Sequence, residues 1–198
     1  MSKITSAAAP KAARHSMTTR TLAGCALLAA MSVVLARFVI PMPAVDQRFS
    51  LEAVPIFIAG MLFGPIPGAL VGFSADLVGC LFSGYGYNPL FCVPPILYGL
   101  SAGLFRPLLL KRTTPLTIGL SFLPPVALGS ILYQSATLAY VYGKGAFLPN
   151  FLVKLSTRSV QFAITFVLDV LVVYLLYKSK VFTAVRLWPA AQKTEDKE

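Results

Sequence analysis

Long apolar runs, separated by short polar or basic joints, organise the chain from Thr21 onward. Six stretches have this character: residues 21–40, 51–63, 64–82, 90–110, 116–142 and 160–177. A helix of about 20 apolar residues crosses the hydrocarbon of a bilayer, and inside lipid every backbone polar group must find its partner within the segment. The pattern therefore predicts an all-α polytopic membrane protein, a bundle of six transmembrane helices. Residues 51–63 are short for the role and carry Pro55. The first run follows a basic stretch, as a secretory signal would, but no A-x-A site comes after it and five more runs do, so it reads as a span. Residues 1–20 form an Ala/Ser/Thr-rich basic tail expected to be disordered, residues 21–180 the six-helix transmembrane domain, and residues 181–198 a polar C-terminal tail.

The third run, FGPIPGALVGFSADLVG from Phe63 to Gly79, has an inner pattern. Gly64, Gly68 and Gly72 recur every fourth residue, and Asp76 falls on the next beat. Small residues at this spacing let helix backbones approach closely in lipid. A carboxylate continuing such a stripe should face the protein interior and have a partner there. Arg48 and Arg158 are the nearest basic residues by membrane level. A structural bond to a backbone or hydroxyl group is the alternative. Asp169, midway along the sixth run, poses the same problem.

Composition agrees with a membrane protein. Hydrophobic residues make up 57% and charged residues 12% of the 198, and the mean hydropathy is +0.75. The net charge of +10 would suit a nucleic-acid binder, but here the cations sit in tails and joints, where they report topology. Twelve of the 17 Lys and Arg residues fall on the side that holds both termini if the spans are six: Lys3, Lys11, Arg14, Arg20, Arg106, Lys111, Arg112, Lys178, Lys180, Arg186, Lys193 and Lys197. That excess places both termini in the cytoplasm. His15, the single histidine, lies in the N-terminal tail, which removes histidine-based triads and metal sites from the bundle. Cys25, Cys80 and Cys92 show no CxxC spacing and read as small buried hydrophobes. No P-loop is present, so ATP is not bound here by that motif. No cofactor or metal is expected.

Candidate chemistry gathers at the outer ends. Arg37, Arg48, Lys154 and Arg158 stay on the disfavoured side, where an arginine fork would suit an anionic ligand and snorkelling to lipid headgroups is the alternative. Tyr85, Tyr87 and Asn88, in the joint SGYGYNPL, could stack on and hydrogen-bond a planar heterocycle, or serve as an interfacial belt and a turn. Ala26 and Ala30, four apart in the first run, offer a smooth face for packing within the bundle or for docking another membrane subunit.

The run ARFVIPMPAVDQRFSLEAVPIFIAGMLFGPIPGALVGFSADLVG resembles the substrate-binding S components of energy-coupling factor (ECF) vitamin transporters, folate family. The carrying features are the Arg-Phe ending the first run, a second Arg before the next, the P-I-x-x-A-G-M-L-F-G-P run and G-A-x-V-G-x-x-A-D-x-x-G. The first run, ALLAAMSVVLARF, is also similar. The likeness covers most of residues 22–180 and is concentrated in 36–80. It implies a six-helix, non-enzymatic membrane subunit that binds a vitamin near the outer face of a bacterial plasma membrane. It also implies a transmembrane coupling subunit and two ATPases as partners, which use the ATP, with Ala26 and Ala30 on the docking face. Residues 50–54 and GYGYNPLFCVPP depart from the family's substrate-touching segments, so another vitamin or a modified nucleobase stands beside folate. The readings from other classes are a small intramembrane enzyme and a lipid-facing scaffold without a ligand. The missing histidine and the scattered carboxylates speak against the enzyme.

Overall fold

Apolar helices with proline near their starts and glycine at their contacts dominate the computed structural model, which describes residues 18–37, 40–41, 48–82, 87–143 and 147–179. The helices are α1 (Thr19–Leu35), α2 (Ala53–Phe63), α3 (Pro65–Leu81), α4 (Val93–Leu104) behind a 3-10 turn at Pro89–Cys92, α5 (Arg106–Lys111), α6 (Pro115–Pro124), α7 (Gln134–Tyr142) and α8 (Phe147–Lys178). A π-helical segment, Pro125–Tyr133, joins α6 to α7, so that Pro115–Tyr142 is one continuous rod. Two two-residue strands, β1 (Ile40–Pro41) and β2 (Arg48–Phe49), pair antiparallel between α1 and α2. They are a clasp on a loop and leave the all-α class unchanged.

Each expected run contains a helix, but the first stops at Leu35 and the run's last residue, Ile40, pairs in β1; three larger differences follow. Residues 90–110 do not form one helix: the chain bends at Phe105, where the start of α5 contains Pro107 and lacks its N–H. The last helix begins at Phe147 rather than near Val160. Hydropathy marks contact with lipid, and the first turns of α8 are helical but mixed in polarity, with Lys154 and Arg158 among them. Third, among the described residues only Pro115–Tyr142 and Phe147–Lys178 are by themselves long and apolar enough to cross a membrane. α2, of 11 residues, rises only about 16 Å.

α2 is also the centre of the molecule. Ala53 through Leu62 are buried without exception, as befits a helix apolar on every face. It packs on α1, α3 and α4. Gly64 carries the turn into α3 with φ +105°, a conformation that suits a residue without Cβ. A Cβ at Gly68 would run into the backbone of Gly60 and Gly99, one at Gly72 into the Pro95 carbonyl, and one at Gly103 into Pro65. The glycine stripe is thus a seam joining α2, α3 and α4, with Gly68 and Gly72 on it and Gly64 in the turn. Across the interior the rings of Phe57 and Phe122 stack at 3.9 Å, and Tyr98 meets Phe122 edge-on at 5.9 Å. Ser101 Oγ donates to the Ser121 carbonyl at 2.6 Å and ties α4 to α6. An Arg106 N–H donates to the Leu62 carbonyl at 3.1 Å, a cation at the C-terminal end of α2. Large apolar side chains such as Leu22, Leu27, Ile66, Leu81, Leu116 and Val167 face outward.

Candidate functional site

Two polar clusters interrupt the apolar interior, one on each side of α4. On the α3 side, the glycine seam continues outward. Gly68 meets Gly99, Gly72 meets Pro95, and one turn further Asp76 meets Cys92, whose thiol donates to Asp76 Oδ2 at 2.9 Å. Tyr87 Oη lies 2.9 Å from the same sulfur. That hydrogen bond, with some burial, pushes the Tyr87 phenol up to about 12. The stripe closes backbones together and its last beat is a half-buried carboxylate receiving a thiol. This is a structural polar bond, and it links two residues the sequence singled out separately, Asp76 and Tyr87. Asn88 takes the turn role: its side-chain oxygen accepts from the Leu90 N–H at 3.1 Å and caps the 3-10 turn.

On the other side of α4, Arg158 is half-buried on α8. Its Nε donates to the Ser130 carbonyl at 3.3 Å and a terminal N–H to Gln134 Oε1 at 2.8 Å. Its guanidinium lies 5.0 Å from the centre of the Phe162 ring. Ser130 Oγ is 3.0 Å from Tyr98 Oη, so one chain of polar contacts runs from α8 through the π segment to α4. The expected Asp76–Arg158 pair is therefore not formed. α8 packs on α6, α7, the π segment and α2.

The remaining candidates distribute as follows. Arg37, exposed at the end of α1, donates to the Gly79 carbonyl at 2.8 Å and braces α1 against α3. Lys154 is half-buried one turn outward from Arg158 on the same face. Arg48 lies on β2, with its side chain outside the described structure, and Tyr85 lies outside the described residues. Ala26 and Ala30 are exposed on α1 beside Leu22 and Leu27, while Cys25 turns inward. Those alanines are therefore not packed against the other described residues. Among the described residues no three His, Cys, Asp or Glu side chains converge as a metal site.

Sequence reasoning overlooked Gln134, Ser130 and Tyr98, and it treated Gln161 and Thr165 as ordinary span residues. A signal was available. Lys154, Arg158, Gln161, Thr165 and Asp169 recur at three- and four-residue steps, the spacing of one helical face.

A family model for the ECF-type riboflavin transporter S component matches residues 16–179. The crystal structure of FolT bound with folic acid superposes with a TM-score of 0.67 at 27% identity, covering 80% of this chain and 93% of that one. The S component for biotin from an ECF-type ABC transporter shares the fold, with a TM-score of 0.57 at 19% identity over 82% of this chain and 95% of that one. A segment of 64 residues is 36% identical to the uncharacterized protein MG098 homolog of Mycoplasma pneumoniae. It makes up 32% of this chain and spans 13% of that protein's length.

Proposed function

Because the chain belongs to the S components of ECF-type transporters, membrane-embedded transport subunits rather than enzymes, we propose that it captures a vitamin-sized anionic heterocycle at the outer face of a bacterial plasma membrane, folate first. Delivery then requires a transmembrane coupling subunit and two ATPases, which consume the ATP. The observation that carries this reading is Arg158, kept half-buried and oriented by Gln134 and the Ser130 carbonyl, with Lys154 one turn beyond it. A fork fixed in place suits a carboxylate better than a snorkelling cation does, because little side-chain freedom remains to be lost on binding. Arg48 and Arg37 would add positive charge at the same level. Tyr85, Tyr87 and Asn88 would line the outer approach to the site, with Asp76 bracing Tyr87 through Cys92. Ala26 and Ala30, smooth and exposed, would receive the coupling subunit.

FolT, at 27% identity, binds folic acid, which supports the folate reading. Riboflavin is the second reading, favoured by the description of the matching family model. Thermal melting of the purified protein against folic acid, riboflavin and biotin separates them. A ligand present at 100 times its Kd stabilises the folded state by about 2.7 kcal/mol, so the true substrate raises the melting temperature and the others leave it in place. No shift with folic acid and a clear one with riboflavin would reverse the order.

A further inference from the structure

The inner face of α8 carries an unbroken polar row through an apolar bundle. From Lys154 to Asp169 it extends about 22 Å at the rise of an α-helix. Its outer end is cationic, with Lys154 and Arg158. Gln161, Thr165 and Asp169 complete it, and all three are buried. Thr165 Oγ1 is satisfied, donating to the Gln161 carbonyl at 3.1 Å. Asp169 is not. It is 1% exposed, and its Oδ1 has no hydrogen-bond partner among the described residues. A buried carboxylate oxygen without a donor is unfavourable in any protein interior and more so at membrane depth, so it calls for a reason.

Among the described residues, Tyr98 and Glu52 lie within electrostatic reach of Asp169. Tyr98 is engaged with Ser130, and Glu52 is a second acid. The inner end of the row is thus rich in acceptors while the outer end is rich in donors, and a ligand lying along the row must have the opposite polarity. We propose that Asp169 is the specificity-determining residue at the inner end of the binding site, its free Oδ1 accepting an N–H from the donor edge of an amino-oxopyrimidine ring whose acidic tail points to Arg158. In such a ring an endocyclic N–H lies beside an exocyclic NH2, and a carboxylate matches that pair of donors with its two oxygens. The dione edge of an isoalloxazine offers one N–H between two carbonyls and would set an acceptor against the carboxylate. The inference rests on the capture reading above and narrows it to one of its two ligands.

Calorimetric titration of the purified full chain with folic acid, pterin and lumazine tests it. Lumazine is pterin with the amino group replaced by oxygen. A site built to hydrogen-bond a group discriminates strongly against an analogue that lacks it, so pterin should bind the parent protein at least about tenfold more tightly than lumazine. Asp169→Asn should erase most of that ratio and weaken folic acid by about the same factor. If Asp169→Asn fails to fold, the ratio on the parent protein still decides. Folic acid binding with pterin and lumazine equal would overturn the role of Asp169 and leave folate capture standing. Riboflavin binding with folic acid inert would overturn both.

Discussion

Arg158 and Asp76 show how differently two polar residues can be held in the same bundle. Arg158 has two neutral acceptors and an aromatic face, a set that keeps its charge available for a ligand. Asp76 has a weak donor, the Cys92 thiol. From the sequence, Asp76→Asn removes one member of a buried ion pair, a change that typically costs about 3–5 kcal/mol. The thiol contact changes that expectation, because an amide oxygen can accept the same hydrogen bond. Asp76→Asn should therefore melt within about 1 kcal/mol of the parent. Arg158→Met strips the donors from Gln134 and the Ser130 carbonyl and should lose about 1–3 kcal/mol together with binding of the anionic ligand. Chemical denaturation in detergent, with ligand titration on each variant, measures both. A large loss in Asp76→Asn would mean that the carboxylate serves a cation rather than the thiol.

Among the elements, the α2–α3–α4 seam makes the sharpest demand on the chain. A Cβ at Gly99 would strike the backbone of Gly68, whereas Gly79 has nothing within 4 Å. Gly99→Ala should separate α3 from α4 and lower the melting temperature substantially. Gly79→Ala should be neutral or slightly stabilising, since glycine in a helix is less favourable than alanine by about 0.5–1 kcal/mol. Equal effects in thermal melts would show that the seam is looser than drawn. This contact was legible in the sequence, because glycines four apart have few other uses in lipid. The break at Phe105 and the π segment were not. Pro107 read as a residue inside a long span. Pro124 and Pro125, each without an N–H, sit at the start of nine residues of π geometry, and hydropathy records nothing of backbone hydrogen bonding. Most of the second polar cluster escaped for a related reason: Ser130, Gln134 and Tyr98 belong to elements that meet only in three dimensions. The early start of α8 was hidden because mixed polarity in a run is also what a loop looks like.

For the whole molecule, orientation in the membrane follows from where the cations lie. Because twelve of 17 basic residues would lie on one side of a six-span bundle, we propose from the positive-inside rule that both termini are cytoplasmic. Maleimide labelling of intact cells should mark Ser83→Cys and spare Thr113→Cys, in a background with the native cysteines replaced. Labelling of both from outside would contradict that arrangement. The exposed alanine face of α1 has its own test. Ala26→Trp and Ala30→Trp should abolish uptake of the vitamin and keep its binding nearly intact, as measured by transport into cells and by titration of the purified variants. Loss of binding in proportion to uptake would assign the face to internal support. The enclosure of α2 bears on how the protein is made. An 11-residue helix is too short to partition into the bilayer alone as it leaves the translocon, and nothing on its surface is destined for lipid. It must enter with α3, as one hairpin bent at Gly64, and wait for α4, synthesised later, to cover it. During biogenesis the early half of the chain is therefore an open structure, and the glycines of α4 complete it.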